Sequence, residues 1–494
     1  MKYSIRVDRT NQSALRIQVV CYFKRKVVVL KHVGTAHTED ELLLLKEIAS
    51  KWIIENPHQP QLFPKNVPTS KSNILKSFEY RGIRYTFAYE FFSHLCEHFR
   101  FTTLPSQLLV DLVIMRIFEP ASKLLSLSLL SRYFDINYSE KVLYQSLSKF
   151  PALKQSVEEK IVAIAKKEFG FDFSFVLYDV TTLYFETFKS DNLRKPGFSK
   201  DNKSQQPQIV IGLMVTSQGF PVSYEIFAGN TFEGTTFLPS ILSFKSLHRV
   251  ETLTIVADAA MLSLNNIHKL IENNLTYVVG ARLGNIGTDL LKIIDEKLVR
   301  ADTSTMRTDT EHGTLICSYS KKRYAKDLSD MNKHIKKAEK EVETPGKMKR
   351  AKFVSTTMEK VSLNDALIAR TRKLLGIKGY YTNLKNVSDP DIIGHYQSLW
   401  NVEQSFRMAK SDLASRPIFH RKETSIQAHM LICVMALALS RYIEIKTKRS
   451  IRHVLDMCRT VTDALLVHRA TNTTNIMRAP VSEEMREIQE MMSH

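Results

Sequence analysis

Three carboxylates and a short run of cations stand in a pattern that suits phosphodiester chemistry. Asp179 follows the apolar run Ser174-Phe175-Val176-Leu177-Tyr178, Asp258 follows Leu253-Thr254-Ile255-Val256-Ala257, and Glu403 lies in Tyr396 to Lys410. The last stretch reads as one helix. Tyr396, Leu399, Glu403, Arg407 and Lys410 recur at spacings of three and four and share a face. Taken singly these are ordinary features: Glu403 with Arg407 is an i,i+4 surface pair, and an Asp at a strand end often caps the next helix. Taken together, three hard oxygen donors suit Mg²⁺ or Mn²⁺. Two such ions about 3.5–4 Å apart can activate a water or sugar hydroxyl and stabilise the leaving oxygen of a phosphodiester. Asp179, Asp258 and Glu403 are therefore the expected catalytic residues and metal ligands.

The acids converge only if the elements carrying them do. From Gly170 the chain reads as strand 174–180, strand 208–216, strand 222–227, helix 235–247, strand 253–258, helix 262–272 and strand 276–281. Three strands, helix, strand, helix, strand is the order of a ribonuclease-H-like α/β core, a mixed sheet with helices on both faces. In that core the first and fourth strands are neighbours and a late helix packs beside them. Gly379-Tyr380-Tyr381-Thr382 reads as a strand returning to the sheet. Between lies a lysine-rich stretch, 321–352, with Pro345-Gly346 as the turn of a helical hairpin; residues 285–375 are expected to be a basic insertion.

Upstream, residues 1–68 form a strand and helix region, in which residues 1 to about 35 alternate as strands around a Lys24-Arg25-Lys26 hairpin tip. They continue through the capping box Thr38-Glu39-Asp40-Glu41 into a helix near 42–54, then a linker at 56–69 holding Pro57, Pro60, Pro64 and Pro68. Residues 69–168 read as helical, with periodic runs at 108–117 and 122–130. His94 and His98 share a helix face, but no third ligand is evident beside them. Residues 376–445 return to the core with the catalytic helix, and 446–494 read as helical, a possible dimer contact. Trp400 is expected in the core, Tyr380 and Tyr381 are the better-placed aromatics for stacking on a base, and His420 and His429 are expected to be structural or phosphate contacts.

The net charge of +19 suggests a polyanionic partner, nucleic acid before membrane. No apolar run approaches the ~18 residues that span a bilayer, and the amino terminus lacks a signal-peptide core. Five scattered cysteines fit a reducing cytoplasm and argue against a zinc ribbon.

At these residues the chain resembles the DDE transposases of bacterial insertion sequences, in the branch whose last catalytic helix carries Tyr, Arg, Glu and Lys. In that signature Arg, Glu and Lys follow Tyr at three, seven and fourteen; Tyr396, Glu403 and Lys410 match, and Leu399 stands where Arg is usual. Val180-Thr181-Thr182-Leu183-Tyr184-Phe185, Val256-Ala257-Asp258-Ala259-Ala260-Met261-Leu262-Ser263 and Arg416-Pro417-Ile418-Phe419-His420 are also similar to the family. The resemblance implies metal-dependent cleavage at transposon ends, with Mg²⁺ or Mn²⁺, and transfer of a 3′ hydroxyl into target DNA. It implies double-stranded DNA as partner, a synaptic homodimer and, in this branch, release of the flanking strand through a hairpin. Tyr396 and Lys410 would contact phosphates, with Arg407 standing in for the cation missing at Leu399. In this reading 1–68 and 69–168 bind the DNA ends and link to a core formed by 169–284 and 376–445. A metal-dependent nuclease of the same fold and a DNA-binding protein with a decayed centre are the alternatives.

Overall fold

The computed structural model describes residues 3–10, 14–23, 26–56, 78–198, 205–259, 263–343, 352–356, 361–469 and 471–492. The chain forms two compact units: Met1–Phe92 with Ser128–Asn137 and His453–His494, and Ser93–Leu127 with Tyr138–Arg452.

In chain order the elements begin with β1 (Tyr3–Arg9), β2 (Leu15–Phe23), β3 (Lys26–Ala36), α1 (Glu39–Glu55), β4 (Phe78–Arg84) and α2 (Thr86–His98). Four helices follow: α3 (Gln107–Phe118), α4 (Lys123–Phe134), α5 (Glu140–Leu147) and α6 (Lys154–Phe169). The next stretch holds β5 (Phe175–Tyr184), β6 (Gln208–Val215), β7 (Pro221–Ala228), α7 (Glu233–His248), β8 (Leu253–Ala257), α8 (Leu264–Glu272) and β9 (Leu275–Ala281). Then come α9 (Thr288–Lys297), β10 (Thr305–Thr310), β11 (Gly313–Tyr319), α10 (Lys321–Glu343), β12 (Val354–Thr356), β13 (Val361–Leu363), α11 (Asp365–Lys373) and β14 (Ile377–Thr382). The chain finishes with α12 (Asp389–Gln397), α13 (Trp400–Ser411), α14 (Glu423–Thr447), α15 (Ile451–Thr460), β15 (Asp463–His468), β16 (Thr474–Arg478) and α16 (Glu483–Met492).

In the first unit β1, β2 and β3 form an antiparallel sheet covered by α1, with Ile17, Val19, Ala36, Leu45 and Ala49 as its core. The capping box forms as its sequence predicts. Thr38 Oγ1 accepts from the Glu41 N–H at 3.3 Å and Glu41 Oε2 accepts from the His37 N–H at 2.7 Å. Lys24 and Arg25 of the expected hairpin tip, and the proline linker from 57 on, lie outside the described residues. A second sheet has the order β16-β15-β4. It corrects two expectations, since β4 lies inside the 69–168 stretch expected to be helical and the carboxyl-terminal region is not wholly helical. Ala464 to Val467 is a four-residue apolar run, which periodicity cannot assign to strand or helix; pairing with β4 decides it.

The second unit is built on one eight-stranded sheet of order β10-β11-β14-β9-β8-β5-β6-β7. Its β7-β6-β5-β8-β9 part is the ribonuclease-H-like core: β5, β6 and β7 are antiparallel neighbours, and β8 runs parallel to β5 and to β9. Every residue of β6 is buried, as expected of a strand covered on both faces. Alternation along β5 sends Tyr178 to one face, where its hydroxyl donates to Thr236 of α7 at 3.0 Å. Thr181 and Leu183 take the other face, beside Phe406 of α13 and Met430 of α14, and Asp179 shares their register.

The stretch expected as an insertion divides. β10 and β11 extend the core sheet beyond β14, while α10, β12, β13 and α11 gather around Met331, Ala338, Phe353 and Leu375. The expected hairpin turn at Pro345-Gly346 lies outside the described residues, and beyond it the described chain resumes as the β12–β13 strand pair. Helix α14 also corrects the sequence reading, being apolar and long enough to cross a membrane; 94% of its most apolar 18-residue window is buried in the protein, and it packs on α3 as a core helix.

Candidate active site

The register of β5 and β8 brings the first two acids together. Their parallel ladder pairs Phe175 with Thr254, Val176 with Ile255 and Leu177 with Val256, and pairs no residue further along. Asp179 and Asp258 each stand two residues past that last rung, so they sit at one level, on one side, where two strands spaced about 4.8 Å apart begin to part. Asp179 is half-buried and Asp258 exposed. Each is oriented by the chain itself. Asp179 Oδ1 accepts from the Val180 N–H at 2.7 Å, and Asp258 Oδ1 accepts from the Ala259 N–H at 2.6 Å.

Glu403 comes from α13, and the expected single helix is in fact two. Ser398 and Leu399 form a turn between α12 and α13, with three-residue hydrogen bonds Leu399 N–H to Tyr396 O and Val402 N–H to Leu399 O. Tyr396 thus ends one helix and Glu403 lies in the first turn of the next. Helix α13 is pinned to the turn between β6 and β7. Asn401 Nδ2 donates to Ser217 O at 2.7 Å and Ser405 Oγ donates to Gly219 O at 2.8 Å. Arg441 of α14 completes the mount, donating to Gly219 O, Gln218 O and Gln404 Oε1 at 3.2, 3.0 and 3.1 Å. Gly219 has φ +81, and a Cβ there would lie 2.7 Å from Arg441 Nη2, so a glycine is required.

Glu403 and Asp179 line one open cavity of about 450 Å³ with Arg407, Lys410 and Arg416. Arg407 and Lys410 are the cations the sequence singled out; Arg416 is one it did not. Tyr396 is placed differently from the expectation. It is only 8% exposed, and its hydroxyl donates to Asp258 Oδ1 at 3.2 Å. Its ring packs edge-on against Tyr380 at 5.0 Å, with the Lys378 ammonium 4.4 Å from the ring centroid. Burial, then the charges of Asp258 and Asp179, push the Tyr396 phenol's pKa up, so it stays a donor. Lys378, on β14, is a further residue the sequence reading missed. Burial and then Arg323 push its pKa down, while Asp258 and Glu403 push it back up, so the ammonium feels both acids.

The aromatic expectations are reversed. Trp400 is 56% exposed because Val402, Phe406 and Met408 supply the buried side of α13, whereas Tyr380 and Tyr381 are buried in the sheet. His429 is buried between Ser415 O at 3.1 Å and Lys123 Nζ at 3.4 Å, a structural position. His94 and His98 do not share a site: the first pairs with Glu97 and the second meets Glu168 and Tyr442.

The donor chemistry of Asp179, Asp258 and Glu403 fits a hard divalent cation, and Asp179 and Glu403 face one open cavity. Among the described residues no three of His, Cys, Asp and Glu stand close enough to form a closed metal cluster. The three carboxylates are carried by separate elements: Asp179 by β5, Asp258 just past β8 and Glu403 by α13.

No curated protein sequence matches the chain. The solved structures similar to it include two transposase complexes. One is a cryo-EM structure of a piggyBac transposase synaptic complex with hairpin DNA, 11% identical with a TM-score of 0.38, covering 71% of this chain and 68% of that one. The other is a Mos1 transposase paired-end complex with left transposon end, 12% identical with a TM-score of 0.16, covering 49% of this chain and 77% of that one. The family model described as Transposase DDE domain matches residues 170–439, the stretch that runs from β5 through most of α14. That match spans more than half of the 494 residues, and the chain belongs to the DDE transposases, enzymes of metal-dependent DNA cleavage and strand transfer.

Proposed function

We propose that Asp179, Asp258 and Glu403 are the metal-binding acids of this transposase, and that they cut the ends of its own element and join the freed 3′ hydroxyl to target DNA. The observation that carries the reading is the matched level of Asp179 and Asp258 past the last rung of β5 and β8, with Glu403 sharing the cavity of Asp179. Two Mg²⁺ ions, or Mn²⁺ in their place, would supply activation of the attacking oxygen and stabilisation of the leaving one. The chain's own contribution is position and charge. The β5–β8 ladder fixes two carboxylates, and the Ser217–Gly219 mount fixes the third. Tyr396 holds Asp258 in one orientation by its hydroxyl. Arg407 and Lys410 attract the phosphates flanking the cut, and Arg407 supplies the cation that Leu399 does not.

In the same proposal the enzyme works as a homodimer that pairs two ends, in a bacterial cytoplasm, with residues 1–68 and 69–168 engaged in end binding, 169–284 and 376–445 forming the catalytic core, and 446–494 a candidate dimer contact. Release of flanking DNA through a hairpin belongs to the Tyr-Arg-Glu-Lys branch and is proposed here on Tyr396, Glu403 and Lys410. The test is cleavage of end-labelled DNA spanning one terminus of the encoding element, with Mg²⁺, Mn²⁺ or chelator, by wild type and Glu403→Gln. Metal-dependent cutting at the boundary, lost in the variant while DNA binding persists, is the expected result. A Glu403→Gln protein that still nicks the end removes Glu403 from the site. Specific binding without cutting under either metal turns the assignment to a DNA-binding protein.

A further inference from the structure

A second cavity, of about 420 Å³, opens beside the acids, between β9, β14 and the basic helices α10 and α11. Ala259 and Tyr396 form its wall toward Asp258. Arg323, Lys352, Arg370 and Lys378 bring four cations to it against one carboxylate, Asp327. That carboxylate is already engaged, with Arg323 at 3.3 Å and the Gly376 N–H at 3.2 Å. Arg370 is held in place by the carbonyls of Gly284 and Ile286. Lys378 lies over the rings of Tyr396 and Tyr380, and Lys352 over Phe353 at 5.5 Å. Among the described residues no carboxylate pairs with Lys378 or Lys352. Cations gathered around a concave, half-enclosed space without matching acids are unfavourable unless an anion enters.

We propose that this cavity binds a backbone phosphate of the DNA strand beyond the cut, on the opposite side of the acids from Arg407, Lys410 and Arg416. The placement follows from the two cavities. One holds Asp179 and Glu403 together with three cations, and the other is walled by the Asp258 partner Tyr396 and carries four. A strand whose scissile phosphate lies at the acids meets positive charge on both sides. A cavity of this size admits one phosphate with its sugar and no duplex, so the backbone of a single strand of the end DNA enters it. The site rests on the transposase reading for the direction of the strand, and on geometry alone for its preference for phosphate.

The test is a charge-neutralisation scan. Full-length protein is bound, in chelator, to end DNA in which single linkages on either side of the cut are replaced by neutral methylphosphonate. For wild type, one linkage beyond the cut should weaken binding about tenfold, the value of one charge-assisted contact. Lys378→Gln should bind weakly from the start and be indifferent to that linkage. Lys352 is exposed and outside the sheet, so Lys352→Ala reads the same coupling should Lys378→Gln disturb the strand. A penalty of equal size in all three proteins, or none at any linkage beyond the cut, overturns the proposal. Wild-type cutting in Mg²⁺ is scored separately. A protein that shows the coupling and never cuts keeps the phosphate site and loses the roles given to the three acids; one that cuts without the coupling does the reverse.

Discussion

Replacing Gly280 by alanine should disable the enzyme by displacing Tyr396 from Asp258. Gly280 lies on β9 opposite Tyr380 of β14, and the Tyr396 ring rests directly over it. A Cβ at 280 would sit 2.4 Å from Tyr396 Oη and 3.0 Å from its Cζ. Ordinary contact begins at 3.4 Å, so the hydroxyl must retreat by about 1 Å. Tyr396 has nowhere easy to go, with Tyr380 against its edge, Lys378 over its face and only 8% of its surface exposed. The 3.2 Å bond to Asp258 is the contact that gives way. Overpacking of this kind costs about 1–3 kcal/mol of stability, and about 1 Å of misplacement at a reacting centre costs about 100-fold in rate. The assay is a comparison of single-turnover cleavage, DNA binding and thermal unfolding for wild type, Gly280→Ala, Tyr396→Phe and the double variant. Cutting should fall about 100-fold in Gly280→Ala with end binding nearly intact. The double variant should be no slower than Tyr396→Phe, because the atom that clashes most is gone. Wild-type cutting and unchanged unfolding in Gly280→Ala would refute the reasoning, as would a double variant whose losses simply add.

The remaining expectations concern charge. Arg407→Gln should weaken binding to end DNA and reduce the slope of log affinity against log salt by about one, measured by titration at several ionic strengths. In the first unit Arg478 donates to both Glu90 and Asp463, the latter with a side chain 1% exposed; Arg478→Ala leaves that carboxylate with its Thr86 hydrogen bond but without its cation and should cost about 1–3 kcal/mol in urea unfolding. Glu168 carries the pH dependence. Burial raises its pKa, but Lys446 at 2.7 Å, then Lys167 and His98, lower it further than burial raises it. A carboxyl whose folded pKa is depressed adds stability that is fully present above its unfolded value of about 4.3 and is lost as pH falls through the folded value. Glu168→Gln should therefore lower the melting temperature at neutral pH, with the gap to wild type closing in acid.

The core strands were readable because each is an apolar run bounded by turn residues, and Asp179 and Asp258 stood out as acids at the ends of such runs. Their equal level was not readable, since register is a property of the paired strands. The reading of Tyr396 to Lys410 as one helix had the spacing right and the continuity wrong. Apolar periodicity carries no record of the turn at Ser398 and Leu399, where both residues keep helical dihedrals. Trp400 was expected inside because tryptophan usually is, but a helix has one buried side, and Val402, Phe406 and Met408 fill it.

The sequence by itself determined the order of the core strands and helices from β5 to β9, the three acids it offers as candidates and the excess of positive charge, because each is a matter of local composition and spacing. Tertiary structure decided what lies beside the acids. Lys378 and Gly280 reach the site from strands β14 and β9, about 100 residues apart in the chain, brought together by the antiparallel ladder between those strands. The carboxyl-terminal strands β15 and β16 likewise exist because β4, nearly 400 residues earlier, offers its edge. A strand's backbone donors and acceptors are satisfied by another strand, and a linear sequence does not name the partner.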